Sequence, residues 1–126
     1  KCRKKLGLIV VDYLELFHGC YNEKEHYIRF SDAIKKFKKL VNELKVPVVL
    51  LCELARDVEY NSDNRPVLKN ISWKFDIDKA DKIVFLYRDS YYNPNSKIPN
   101  VMELITAKNK NGKPGVIEFH SDYSLK

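Results

Sequence analysis

A strand–helix–strand pattern in the first half of the chain places the strongest constraint on the fold. Residues 6–12 (LGLIVVD) form a continuously apolar run that ends in an acid, and a second apolar run starts at Pro47 and ends before Glu53. Continuous apolar character is typical of strands that are buried on both faces, as in a parallel sheet. Between the two runs, residues 28–44 place apolar side chains at helical spacing opposite a lysine-rich face. The pattern predicts a βαβ unit, in which a helix connects two parallel strands.

The second half of the chain contains further candidate strands. Residues 83–87 form a third apolar run, and residues 101–108 and 116–120 flank a turn-forming segment, NGKPG. Glycine and proline at that place favour a β-hairpin. We therefore expect an α/β fold with a mostly parallel sheet, flanking helices and a C-terminal antiparallel β-hairpin. A length of 126 residues fits a single domain, residues 1–126.

Composition argues against several classes of protein. The apolar runs are far shorter than the roughly 20 residues that span a membrane, and no signal peptide is recognisable. Three isolated cysteines without a CxxC pair argue against a disulfide framework or a structural zinc site. The 23 basic and 17 acidic residues give a formal net charge of +6, which permits a polyanionic partner. We expect a cytoplasmic protein without membrane contact.

Two carboxylates follow the predicted parallel strands, where open parallel sheets bind their ligands. Asp12 ends the first strand in the pattern of a Walker B motif, whose carboxylate holds a Mg²⁺-bound water near nucleotide phosphates. An aspartate at that place also starts a turn, which is the alternative. Glu53 ends the second strand, where a polar group can sense a γ-phosphate or an attacking water. A solvent-exposed strand end explains Glu53 equally well.

Basic residues form two further candidate groups. Lys108 and Lys110 are two positions apart on the hairpin strand, so they share one face, either to neutralise phosphate or as a solvated strand edge. The second group lies in one long connection that also contains Tyr60 and Trp73: Arg56, Arg65, Lys69 and Lys74. Basic residues interleaved with aromatic ones suit single-stranded nucleic acid. A mobile charged loop is the alternative.

Taken in order, several stretches resemble one family, the DnaB-type hexameric replicative DNA helicases, which have a RecA-like ATPase core. The matching stretches are LGLIVVDYLELF (6–17), KKFKKLVNELKVPVVLLCELAR (35–56), the Arg65-Pro66 pair, ADKIVFLYRD (80–89) and ITAKNKNGKPG (105–115). They keep the family's order and spacing over most of the chain. The stretches 80–89 and 105–115 are the specific ones, because the first stretch is common to many RecA-like ATPases.

The resemblance implies a catalytic role for four residues. Asp12 takes the Walker B position and holds Mg²⁺ through a water. Glu53 falls where the family has a glutamine that senses the γ-phosphate. Lys108 matches a basic residue of the hairpin strand, and Lys110 falls where the family places the arginine finger that reaches the neighbouring subunit's nucleotide. Asp12, Lys108 and Lys110 are therefore also expected to contact the nucleotide.

The resemblance also implies cofactors and partners. ATP and Mg²⁺ are the expected cofactors of the full-length parent, and single-stranded DNA and a homo-hexameric ring are its expected partners. The connection from Arg56 to Lys74 corresponds to a loop that faces the central DNA channel. This implies DNA contacts from the four basic residues of that connection. The fragment by itself is expected to be a monomer or a weak oligomer.

The sequence departs from the family in several places, among them residues 72–75 (SWKF), which replace an Arg-Glu-Ser-Gly-like stretch. It contains no GxxxxGK[ST] loop, which in the family precedes the Walker B strand, and it has Glu53 in place of glutamine and Lys110 in place of arginine. We therefore interpret the chain as the C-terminal part of a helicase core, and we expect it to be inactive in isolation. One alternative is a non-catalytic RecA-like DNA-binding or interaction module that has lost its active site. Another is a RecA-like ATPase other than a helicase.

Overall fold

A computed structural model describes residues 5–13, 23–71 and 77–120 of the chain. The chain forms two compact units, of which the first comprises residues 1–54 and 71–79 and the second residues 55–70 and 80–126. The single domain over residues 1–126 stays a prediction. No helix in the described part of the chain has the length and apolar character that a membrane crossing requires.

The first unit contains the predicted βαβ arrangement. Strand β1 (Ile9–Val11) pairs in parallel with strand β2 (Val48–Leu50), and helix α1 (Glu23–Leu44) lies between them in sequence. The register runs from Ile9↔Val48 to Val11↔Leu50. A further hydrogen bond, from Leu51 N–H to the Val11 carbonyl at 3.0 Å, continues the pairing beyond β2. The predicted βαβ unit is confirmed.

Helix α1 ends where the sequence predicts its end. Lys45 has a φ of 54°, in the left-handed region, and its N–H still donates to the Val41 carbonyl at 2.9 Å. A left-handed residue directly after the last turn is a common helix end. Pro47 follows two residues later and disfavours helical backbone at Val46, so the chain turns into β2.

The second unit contains an antiparallel sheet of three strands. Strand β4 (Val101–Asn109) pairs on one side with strand β3 (Lys82–Tyr87) and on the other with strand β5 (Gly115–His120). The hairpin of β4 and β5 confirms the prediction. Strand β3 was expected in the parallel sheet but extends the hairpin instead, because the β3–β4 connection contains only the single-turn helix α2 (Asp89–Tyr92) and no long crossover helix.

The two faces of this antiparallel sheet differ in exposure, since alternate side chains of a strand point to opposite faces. Phe85, Tyr87 and Glu103 lie on one face and are buried; we call this the inner face. Leu86 and Ile117 lie on the opposite, outer face, in one register row with Leu104, and are 62% and 64% exposed. The core of the second unit is therefore on the inner face.

The connection between residues 55 and 70 is a folded loop, which we call the 55–70 loop. It contains two short 3₁₀ turns, Arg56–Tyr60 and Leu68–Asn70. Asn70 is completely buried, and its Oδ1 accepts hydrogen bonds from Val67 N–H at 2.9 Å and from Asn61 Nδ2 at 2.8 Å. Its Nδ2 donates to the Asp57 carboxylate at 3.1 Å. These bonds satisfy a buried amide and draw the loop together around it.

Candidate functional site

The two predicted carboxylates leave the same edge of the parallel strand pair. Asp12 follows Val11 directly, and Glu53 lies three residues beyond Leu50, the register partner of Val11. Both side chains are exposed. Because the strands are parallel, their carboxyl ends meet at one edge, so the first unit presents two acidic side chains there. An edge of this kind can hold a hydrated cation or contact a phosphate-bound water.

The two predicted cations near the end of β4 have different settings. Lys108 is half-buried within β4, where it is the register partner of Ile83. Lys110 lies in the turn that follows the strand, so the two-residue spacing of a strand does not fix its direction. Its ammonium Nζ lies 3.2 Å from Oδ1 of Asp81, and 44% of its side chain is exposed. Lys110 is thus held at the end of the sheet with its charge accessible to solvent.

Arg65 has the most extensive contacts of the predicted DNA-binding residues. Its Nε donates to Oε2 of Glu103 at 3.0 Å, and its Nη2 donates to Oε1 at 2.6 Å. Its guanidinium also lies 4.7 Å from the centre of the Tyr87 ring, and its Nη1 is 3.6 Å from Asp63. The Glu103 side chain is only 6% exposed. The bond to Glu103 raises the pKa of Arg65, against the opposing effect of burial, so the guanidinium stays charged.

Tyr87 completes this cluster on the inner face. Its hydroxyl lies 3.1 Å from the Asp63 carbonyl and 3.2 Å from Oδ1 of Asp89, and it shares its hydrogen between these two acceptors. Burial is the main reason that the pKa of Tyr87 is raised above 10.0, and its hydrogen bond to Asp89 raises it further. The phenol therefore remains neutral and able to donate.

Glu103 and Tyr87 were not among the site residues expected from the sequence. A signal for Glu103 exists, because it lies between Val101 and Ile105 on the same face of a strand. An acid in such a position is either exposed or paired with a buried cation. Which cation pairs with it depends on the folded loop.

The other predicted DNA contacts lie in or beyond the 55–70 loop. Arg56 and Lys69 are exposed, and Tyr60 is 89% exposed. Lys74, like Trp73, lies outside the described residues. The loop carries three basic and three acidic residues, so its formal charge is balanced. The exposed positions of Arg56 and Lys69 therefore matter more for anion binding than the loop's total charge.

The comparison with protein families identifies one that spans the chain. The model of the DnaB-like helicase C terminal domain matches residues 1–125. A replicative DNA helicase DnaB of Geobacillus stearothermophilus is 41% identical over 94% of the chain, and a replicative DNA helicase DnaC of Bacillus subtilis is 37% identical over 94%. The chain spans 28% of the length of each of these relatives.

Solved structures agree with the sequence relatives. One solved ATPase domain matches 88% of the chain with a TM-score of 0.74 and 33% identity, and the chain covers 39% of it. A DnaB-like replicative helicase, studied with its interactions with primase, matches 88% with a TM-score of 0.78 and 34% identity, and the chain covers 27% of it. These matches confirm the α/β, RecA-like fold and the resemblance inferred from the sequence. The chain belongs to the DnaB-like helicase C-terminal domain family.

Proposed function

We propose that the chain is the C-terminal part of the ATPase core of a ring-forming replicative DNA helicase, which couples ATP hydrolysis to DNA unwinding. The observation that carries the proposal is the family match over residues 1–125. The arrangement of Asp12 and Glu53 at one edge of the parallel strands supports it, because nucleotide chemistry in open parallel sheets takes place at that edge. The cytoplasmic location stays a prediction.

Asp12 is suited to hold Mg²⁺ at the nucleotide. The described residues contain no group of three or more potential metal ligands. Mg²⁺ at nucleotide sites needs no such group, since one or two carboxylates, waters and phosphate oxygens complete its octahedral shell. An exposed aspartate at a strand end fits this requirement. Asp12 would be the residue that holds Mg²⁺, and the ion would supply positive charge to neutralise the nucleotide phosphates.

The cations of the second unit are proposed to act on a neighbouring subunit's nucleotide. The pair of Lys110 with Asp81 is half exposed, and exposed ion pairs are weak enough to exchange for a phosphate. Lysine gives a point charge there without the planar fork of arginine, so its stabilisation of the transition state is smaller. Lys108 adds a second positive charge on β4.

Single-stranded DNA is the proposed partner of the 55–70 loop. Exposed Arg56 and Lys69 supply positive charge, and the exposed Tyr60 ring is available to an unpaired base. One copy of the loop offers few contacts, so binding by a single chain is weak, and a homo-hexameric ring multiplies it. Primase interaction is stated for the solved DnaB-like helicase. We extend it to the parent of this chain as part of the proposal.

One observation favours a second candidate function. Glu53 is a carboxylate at the edge where a phosphate sensor is expected, and a carboxylate repels phosphate. A RecA-like module that binds DNA or a partner without hydrolysing ATP is compatible with this residue. Such a module keeps the fold and the loop but makes no use of Asp12.

ATP turnover by the full-length protein that contains this chain separates the two candidates. We expect DNA-stimulated turnover in the unaltered protein and none in the Asp12→Asn variant, with unchanged folding by circular dichroism. The matched control is Asp32→Asn, an acid of helix α1 in the same unit as Asp12, with a side chain that is 52% exposed, and it should keep turnover. Equal turnover in Asp12→Asn and the unaltered protein contradicts the Walker B role. The complete absence of turnover in the unaltered protein favours the non-catalytic module.

A further inference from the structure

Arg65 is predicted by the sequence to bind DNA, yet its guanidinium is directed toward a buried acid. Both oxygens of Glu103 accept from it, and Glu103 as a whole is only 4% exposed. A phosphate that captured these two donors would leave the carboxylate of Glu103 buried without its cation, which is costly. The geometry therefore favours Glu103 over DNA as the partner of Arg65.

The contacts of Arg65 lie at the centre of a path that runs from the sheet into the loop. On the sheet side, the Tyr87 hydroxyl binds the Asp63 carbonyl at 3.1 Å, two residues before Arg65. On the loop side, Asn61 Nδ2 donates to the Arg65 carbonyl at 2.8 Å and also to Asn70. Arg65 thus connects the buried amide that organises the loop with the inner face of the sheet.

Glu103 gives this connection a rigid base. It lies in β4, the central strand, with register partners Tyr87 in β3 and Glu118 in β5. The same strand leads to Lys108, five residues further along. A displacement of β4 would therefore be transmitted to the 55–70 loop through the Arg65–Glu103 pair.

We propose that Arg65 is a positioning residue for DNA binding: its pair with Glu103 fixes the 55–70 loop on β4, and Arg56 and Lys69 make the phosphate contacts. The inference rests on the proposed function of the loop and assigns different roles to its basic residues. Arg65 then affects DNA affinity through the placement of the loop, without neutralising a phosphate itself.

Binding of labelled oligothymidylate by the 126-residue chain at a series of salt concentrations tests this assignment. The loss of one phosphate contact lowers the salt slope for single strands by about 0.7. We expect this loss for Lys69→Met, the matched control from the same loop. The double variant Arg65→Met with Glu103→Met replaces the ion pair by an apolar pair of similar size, which folded proteins tolerate. The double variant should have the same salt slope as the unaltered chain, and its DNA affinity should differ from that of the unaltered chain by less than about threefold.

The single variant Arg65→Met should behave differently from the double variant. It leaves Glu103 buried and unpaired, so the loop is expected to detach and affinity to fall by roughly tenfold or more. Hydrogen exchange provides an independent readout, because the N–H groups of Ala55, Asn61 and Asn70 are bonded within the unit at 3.0, 3.1 and 2.9 Å. Their protection should fall in Arg65→Met, with β4 and β5 unchanged, and return in the double variant.

Glu103→Gln decides the question if the double variant does not fold. If Arg65 binds phosphate, removing the charge of Glu103 makes Arg65 more available and tightens DNA binding. If Arg65 positions the loop, binding is weaker or unchanged and loop protection falls.

Two results overturn the inference. One is a folded double variant whose salt slope is lower by about 0.7 than that of the unaltered chain. The other is a Glu103→Gln variant that binds DNA more tightly. An unaltered chain that binds no DNA overturns the proposed function of the loop. In that case hydrogen exchange still decides whether Arg65 positions the 55–70 loop. If the N–H groups of the loop are as well protected in Arg65→Met as in the unaltered chain, Arg65 does not position the loop.

Discussion

Asp81 binds Lys110 through both its backbone and its side chain. The Asp81 carbonyl accepts a hydrogen bond from Lys110 N–H at 2.9 Å, and Oδ1 of Asp81 lies 3.2 Å from Nζ of Lys110. The backbone bond extends the β3–β4 pairing by one residue beyond Asn109. Both side chains are about half exposed, at 44% and 56%, so the ion pair adds little to stability. What the contact determines is the position of the Lys110 ammonium at the end of the sheet.

In the full-length protein, Lys110→Ala should lower ATP turnover strongly with little effect on nucleotide binding. An arginine finger contributes roughly 10³–10⁵ in rate in related phosphoryl-transfer enzymes, and lysine supplies only the point-charge part of this. Lys110→Arg should therefore equal or exceed the unaltered protein. Steady-state turnover and nucleotide affinity, measured together, check both statements. Lys97→Ala, an exposed lysine in the β3–β4 connection, is the control that should leave both unchanged.

Mixing of variants tests whether Lys110 acts across a subunit interface. Lys110→Ala subunits and Asp12→Asn subunits are each expected to be inactive. A mixed ring contains some interfaces with both groups intact, so mixing should restore part of the turnover. If mixed rings form and no turnover returns, Lys110 does not act in trans.

Weak, salt-dependent binding of single-stranded DNA is expected from the isolated chain. Arg56→Met and Lys69→Met should each lower the salt slope by about 0.7, because each removes one phosphate contact. Fluorescence anisotropy of a labelled strand at several salt concentrations measures the slope. The Lys97→Met variant removes an exposed cation outside the 55–70 loop, so its salt slope should equal that of the unaltered chain. Binding that does not depend on salt contradicts phosphate contacts by this loop.

Asn70→Ala should destabilise the second unit by about 2–4 kcal/mol, because it removes the acceptor for two donors and the partner of Asp57. Asn70→Asp should also destabilise it, since it replaces the donor to Asp57 by a second carboxylate of like charge. Urea unfolding measures both effects. Asn95→Ala, at an exposed turn position, should change the free energy of unfolding by less than about 0.5 kcal/mol.

Stability should fall at alkaline pH through the ionisation of Tyr87. Its pKa is raised in the folded chain above the ordinary 10.0, chiefly by burial, so the neutral phenol favours the folded state. This contribution is fully present below pH 10 and is lost as the pH rises from there through the folded-state pKa. Tyr87→Phe should unfold more easily at neutral pH, having lost a hydrogen bond, but should lose less stability above pH 10. Tyr60→Phe, at an exposed ring, should show the pH dependence of the unaltered chain.

The parts of the fold that depend on local sequence could be predicted. The apolar runs that became β1 and β2, the helical periodicity of α1 and the glycines beside Pro114 each act within a few residues, so their elements were found. The partner of β3 could not be predicted, because an apolar run such as residues 83–87 suits parallel and antiparallel pairing alike. Strand spacing likewise placed Lys108 and Lys110 on one face, but β4 ends between them.

The candidate site was predictable only where a residue follows a strand. Asp12 and Glu53 could be placed at one sheet edge because the order of elements determines which strand ends meet. The pair of Arg65 and Glu103 joins residues 38 positions apart, and it depends on how the 55–70 loop folds over the inner face. Charge and spacing alone therefore suggested DNA as the partner of Arg65. The strand position of Glu103 indicated an acid that is exposed or paired, but not that Arg65 is its partner.

The exposed outer face of the antiparallel sheet limits how concentrated a solution of this chain can be. Leu86 and Ile117 offer neighbouring apolar surface to any second molecule, and β5 is exposed along its whole length. Contacts of this kind strengthen in sulfate, which favours burial of apolar surface, and weaken at low salt, where the net charge of +6 keeps molecules apart. Light scattering should therefore rise with chain and sulfate concentration. Ile117→Thr keeps a strand-favouring, β-branched residue and should raise the solubility limit while leaving the inner face, and with it the fold, unchanged.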